Sequence, residues 1–238
     1  MGAHCRTGSS AQACCAPKLN TMKQINFYLD FISPYAYLAF EEMPQVLEGL
    51  SYSVTYKPLL FAALLKHHGQ LGPAEIPAKR DWTYRQVQWL AHSKGHTLDM
   101  PAAHPFNPLG LLRLAVASDR DGQPNRYVCE TLFKHVWLGG ADAADAGRLS
   151  SVTQQLAPLR DPAEEAVKAQ LRIHAEEAIA KGVFGVPAFE VDGKVFWGLD
   201  ALPMLRAYLQ GDAWFGGPQW ESAPMVGTGV VRNVPTRT

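Results

Sequence analysis

The stretch FYLDFISPYAYLAF, residues 27–40, decides the fold, because an apolar aromatic run gives way at Ser33-Pro34 to a run of helical composition. Residues 23–31 read as a strand. Serine is a favoured helix N-cap, and proline at the first helical position gives up only an N–H that a helix start leaves unpaired. The helix is expected to run to about residue 47. Residues 51–56 alternate as a second strand and stop at Pro58, completing a β-α-β opening. Near the other end, PAFEVDG reads as a strand, Asp192-Gly193 as a turn, KVFWG as a strand and LDALPMLRAYLQG as a helix ending at glycine. These two units predict an α/β protein with a four-stranded mixed sheet.

Between them the apolar residues recur at three and four positions, as in Val128, Leu132, Phe133, Val136 and Trp137. Helices are expected over 81–94, 108–119, 124–138, 146–156 and 162–181. A large all-helical insertion, 66–182, therefore interrupts a sheet domain made of 22–65 and 183–220. Residues 1–21 lack periodicity and bulky apolar side chains, and a disordered leader from an upstream start is expected there. Residues 221–238, rich in proline and glycine, are expected to be a tail that wraps or dangles.

The 238 residues carry 22 basic and 22 acidic side chains, so no net field favours nucleic acid or an anionic membrane. A small-molecule site is the better expectation. No apolar run approaches the ~18 residues of a membrane span, and no basic segment leads into an apolar one at the N-terminus. A cytoplasmic protein is expected. Cys5, Cys14 and Cys15 fall in the leader and Cys129 in a helical pattern, with no Cys-x-x-Cys pair and no metal-like spacing among the histidines. No metal is expected.

Three segments carry chemistry. Ser33 reads as a helix N-cap and nothing more, which the residues alone favour, or as a hydroxyl at an anion site, where free amides and the dipole favour negative charge. Val186-Pro187 precedes a strand; proline suits a strand's first position, and a cis peptide there would turn the Val186 N–H and C=O towards an extended peptide. Gly198-Leu199-Asp200 lies between a strand and the last helix, where Asp200 reads as an N-cap or as a carboxylate for a ligand's ammonium.

Together these segments resemble the 2-hydroxychromene-2-carboxylate isomerases and the kappa-class glutathione transferases. Both are thioredoxin-fold proteins with a helical insertion, related to the DsbA disulfide oxidases. The block GVFGVPAFEVDGKVFWGLD, residues 182–200, carries most of the resemblance, with SPY at 33–35 supporting it. The resemblance implies a thioredoxin-like fold, a homodimer and glutathione as cofactor. It places Ser33, with Pro34 and Tyr35, at the glutathione sulfur, and the Val186 backbone beside Pro187 at the cysteinyl part. Leu199 and Asp200 fall at the γ-glutamyl end. Lys79, in the loop after the second strand, falls near the glycine carboxylate and the substrate, and Gln70 falls where an asparagine is usual. HPFNPLGLLR, residues 104–113, resembles a pocket-lining FPxN stretch and makes Asn107 and Arg113 substrate candidates. Trp82, Tyr84 and Trp89 read as helix packing, with Trp82 or Tyr84 as a possible pocket wall, and Arg80 reads as solvated.

The activity implied is glutathione-dependent cis–trans isomerisation of an aromatic-derived keto acid, with Ser33 stabilising the cofactor thiolate. A kappa-like transferase or peroxidase is the alternative, and a glutathione-binding module without turnover is a further one. Thiol–disulfide exchange needs a thiol at the helix start, which Ser33 does not supply.

Overall fold

The computed structural model describes residues 22–227 and Gly229. The expected leader, with Cys5, Cys14 and Cys15, and the end of the expected tail lie outside the described residues. The chain opens with β1 (Lys23–Leu29), α1 (Pro34–Val46) and β2 (Tyr52–Pro58). Helices α2 (Phe61–His67), α3 (Pro77–Lys94), α4 (Leu109–Ala117), α5 (Arg126–Trp137), α6 (Ala146–Leu156) and α7 (Glu165–Ala180) follow. Strands β3 (Ala188–Val191) and β4 (Lys194–Trp197), a 3₁₀ turn (Leu199–Ala201) and helices α8 (Leu202–Leu209) and α9 (Pro218–Ser222) close it.

The strand order is β2-β1-β3-β4, with β1 parallel to β2 and antiparallel to β3, and β4 antiparallel to β3. This is the thioredoxin-like mixed sheet. Side chains alternate across it, as strand geometry requires. Ile25, Phe27 and Leu29 enter the main core with Phe189 and Val191, while Tyr28 and Ala188 enter a second cluster with Leu64, Ala175 and Ala178 from α2 and α7. Both faces are thus covered by helices. Phe27 and Phe189 pair across β1 and β3 with ring centroids 4.6 Å apart.

The main core also runs from the sheet into the insertion. Phe133 of α5 packs on Phe31 at 4.9 Å and on Phe40 at 5.2 Å between centroids. Pro44 stands inside α1 and has no N–H for the carbonyl four residues back. That carbonyl, Phe40 O, instead faces the Arg126 guanidinium at 3.4 Å, which also lies 4.1 Å over the Phe40 ring.

Several expectations are corrected. The segment after β2 is not a loop: it forms α2, which spans the expected boundary at 65/66, and α3 starts at Pro77 rather than residue 81. The missed signal in α2 is its apolar FAALL, too short a run after Pro58 to show a helical period. Asp200 is not the N-cap of the last helix, because a 3₁₀ turn intervenes and Ala201 precedes α8. Trp82 and Trp89, expected to pack, are each 63% exposed. Trp220 is packed between Phe196 and Phe215, and the chain beyond it continues in helical turns to Met225 rather than dangling.

Candidate active site

Ser33 is the N-cap of α1: its backbone is extended, and its Oγ accepts the Ala36 N–H at 3.2 Å. Pro34 has no N–H, so Tyr35 keeps the one first-turn amide without a hydrogen-bond partner among the described residues. The first turn has no acidic side chain to compete for that positive end. Ser33 itself is 8% exposed, at the edge of the interior.

The turn that delivers Ser33 is held on every side. Ser33 N–H donates to Asp30 O at 3.0 Å, and Ile32 N–H to Asp30 Oδ1 at 3.2 Å. The second Asp30 oxygen accepts Phe61 N–H at 2.8 Å, joining this turn to the start of α2. Asp30 is fully buried, and burial pushes its carboxyl up to about 7, against the opposing pull of the amides that donate to it.

Val186 and Pro187 reach the same place. The β1–β3 ladder ends at the pair Tyr28 and Ala188, so Pro187 and Val186 follow at the end of the sheet where β1 runs on to Asp30. The Val186–Pro187 peptide is cis. Neither the N–H nor the C=O of Val186 has a hydrogen-bond partner among the described residues. Pro187 O accepts Gly198 N–H at 2.9 Å, which brings the Gly198-Leu199-Asp200 turn alongside. Gly198 has φ +100, and a Cβ there would lie 2.4 Å from Asp200 Oδ1. Only glycine lets Asp200 keep this position. Asp200 is exposed and close enough to Tyr35 that its charge, after burial, helps raise the Tyr35 hydroxyl pKa.

Helix α3 forms a further wall. Tyr35 Oη donates to Gln86 Oε1 at 2.6 Å. Lys79, Trp82 and Gln86 share one helical face, at i, i+3 and i+7. Lys79 and Trp82 are exposed on that face, and Lys79 has no ion-pair partner among the described residues. The structure thus brings together Ser33, Pro34, Tyr35, Val186, Pro187, Leu199 and Asp200, with Lys79 and Trp82 further along α3. Gln70 is exposed after α2, and Asn107 Oδ1 accepts Leu109 N–H at 3.1 Å in the turn before α4. Arg113 lies on α4 with its Nε buried and unpartnered among the described residues.

A cleft of about 720 Å³ lies elsewhere, between α5 and α6, and shares no residue with this cluster. Its cations are committed: Lys134 pairs with Glu130, and Arg148 donates to His135 O at 2.7 Å and Asp142 O at 2.6 Å.

The chain matches the family described as a DSBA-like thioredoxin domain over residues 24–210. It belongs to that family. It is 28% identical over 194 residues to a 2-hydroxychromene-2-carboxylate isomerase of Sphingobium xenophagum, covering 79% of this chain and 98% of the relative. It is also 28% identical over 223 residues to glutathione S-transferase kappa 2 of Caenorhabditis elegans, covering 85% of this chain and 97% of the relative. Among solved structures, a 2-hydroxychromene-2-carboxylate isomerase superposes with a TM-score of 0.69 at 22% identity, covering 86% of this chain and all of that one. This last likeness is one of fold.

Sequence reasoning missed three residues that hold the Ser33 turn. Asp30 carried a signal, a carboxylate ending an apolar strand three residues before Ser33. His104, whose Nε2 lies 2.8 Å from Ile32 O, and Trp137, whose Nε1–H donates to Phe31 O at 3.0 Å, carried none, because only the tertiary fold brings them to that turn.

Proposed function

We propose that this protein is a glutathione-dependent cis–trans isomerase of the 2-hydroxychromene-2-carboxylate type, acting on an aromatic-derived keto acid. The observation that carries the reading is the convergence of the capped α1 start with the unpaired backbone of Val186 and the Asp200 turn. The relatives named as isomerases support it.

A small peptide thiol fits these groups. The Val186 N–H and C=O would pair with its extended backbone. Asp200 and the Leu199 turn would hold its ammonium end, and Lys79 a carboxylate. Ser33 Oγ would donate to the sulfur, beside the free Tyr35 amide. Bound glutathione would supply a thiolate able to add reversibly to a conjugated double bond, allowing rotation before elimination. Ser33 would not attack: among the described residues no general base is bonded to its hydroxyl, which is far from ionised at neutral pH. Each unit by which the helix start lowers the thiol pKa corresponds to ~1.4 kcal/mol of differential interaction. A charge-assisted hydrogen bond, at about 1.5–3 kcal/mol, is enough for one to two units.

The test is ultraviolet titration of the bound thiol in wild type and Ser33→Ala. The variant is expected to raise the thiol pKa by about one unit and to lower turnover; superimposable titrations would remove Ser33 from the chemistry. The relatives named kappa transferases favour a second reading, conjugation of electrophiles by the same thiolate. Glutathione left unconsumed during turnover separates isomerase from transferase. The same reading carries a cytoplasmic homodimer, and light scattering on the purified protein tests the dimer.

A further inference from the structure

We propose that His104 is a positioning residue for Ser33, acting through the Ile32 carbonyl. The inference deepens the function proposed above and takes from it only the role of Ser33.

His104 Nε2 lies 2.8 Å from Ile32 O. A carbonyl oxygen only accepts, so Nε2 carries the proton and the neutral ring presents Nδ1 as an acceptor. The Tyr84 hydroxyl lies at that acceptor, 2.8 Å away, and 2.9 Å from His104 O. The single Tyr84 O–H serves these two acceptors between them, so the tautomer is set by Ile32 O, and Tyr84 holds the ring and its backbone from α3.

The Ile32 carbonyl belongs to the same peptide unit as the Ser33 N–H, which donates to Asp30 O. A donor on one end of this unit and an acceptor on the other set the peptide plane, and with it the direction in which Cα of Ser33 sends its hydroxyl. The two bonds also polarise one another. The preceding carbonyl, Phe31 O, is held in a like manner by Trp137 Nε1–H at 3.0 Å. The His104 and Trp137 rings pack together with centroids 5.7 Å apart. Two ring N–H donors from the helical insertion thus clamp two successive carbonyls of the turn that presents Ser33. A histidine that only filled space would have no need of this directed pair of bonds.

The experiment compares His104→Phe, which keeps a ring without the donor, with His104→Gln, whose side-chain nitrogen can occupy the Nε2 position. In the ligand-free protein, residue-resolved amide exchange is expected to accelerate roughly tenfold at Ile32 and Ser33 in His104→Phe, as for loss of one net hydrogen bond. Wild-type rates are expected there in His104→Gln, and β4 amides should be unchanged in both. In turnover with glutathione, His104→Phe is expected to lose about tenfold in kcat with KM for glutathione held, and His104→Gln to recover most of it. Unchanged exchange at Ser33 in His104→Phe, or equal loss in both variants, overturns the proposal. If His104→Phe does not fold, His104→Asn replaces it, since its shorter amide cannot reach Ile32 O. The exchange experiment needs no glutathione, so a wild type that neither binds nor uses glutathione would strike the proposed function, while the hold of His104 on the Ser33 turn is still decided by exchange.

Discussion

Asp30 Oδ2 accepts the Phe61 amide at 2.8 Å, so one buried carboxyl fastens the start of α2 to the turn that presents Ser33. Because burial raises this carboxyl from 3.8 to about 7, the folded state binds more protons than the unfolded state between those values. Its contribution to stability is therefore full below about pH 4 and is lost as pH rises through 7. Asp30→Asn removes the titration while keeping one acceptor. Its stability relative to wild type is expected to improve steadily from pH 5 to pH 8 in urea titrations. A pH-independent difference would mean that the native carboxyl titrates normally.

His174 gives the opposite slope. It is fully buried, its Nδ1–H donates to Pro58 O at 2.9 Å, and its Nε2 has no partner among the described residues. Burial lowers its pKa below the ordinary 6.5, so the unfolded state binds the extra proton first. Stability from the neutral ring is present above pH 6.5 and lost as pH falls through the depressed value. Thermal unfolding is expected to show Tm dropping between pH 7 and pH 5, and dropping less in His174→Gln. Parallel acid slopes in the two proteins would count against it.

Ser33→Ala should separate capping from chemistry. Loss of the bond to Ala36 N–H is expected to cost about 1 kcal/mol, read as a shift in urea midpoint at constant m. A cost of several kcal/mol would make Ser33 mainly structural and would weaken any inference drawn from lost turnover.

Gly198→Ala tests whether the position of Asp200 matters. The left-handed φ and the 2.4 Å approach to Asp200 Oδ1 predict a stability loss of about 1–3 kcal/mol and displacement of the carboxylate. Calorimetry is expected to show glutathione binding weakened to the same degree as in Asp200→Ala. Undiminished affinity in Gly198→Ala would take Asp200 out of the binding site.

Phe133→Ala removes the ring that joins α5 to Phe31 and Phe40. A loss of about 3–5 kcal/mol is expected from chemical denaturation, as for other large core truncations. A cost under 1 kcal/mol would show that the insertion and the sheet do not share one core.

Much of this protein was legible in its sequence because the signals are local. Ser33-Pro34 announces a helix start through backbone chemistry alone, the apolar run over 23–31 places β1, and Asp192-Gly193 marks the β3–β4 turn through its φ requirement. Boundaries blurred where two rules compete: the apolar FAALL satisfies strand and helix alike, and Gly198-Leu199-Asp200 makes a 3₁₀ turn where an N-cap suffices to explain the residues.

What the sequence could not contain is distance. That Tyr35 reaches Gln86, and that rings at 104 and 137 hold the carbonyls at 32 and 31, are products of packing between segments up to 106 residues apart along the chain. Hydrogen bonds depend on a fraction of an ångström and on angle, and only the folded core sets those. The identity of the helix start at Ser33 was fixed by two neighbouring residues; the surroundings that make it a site were decided by the tertiary structure.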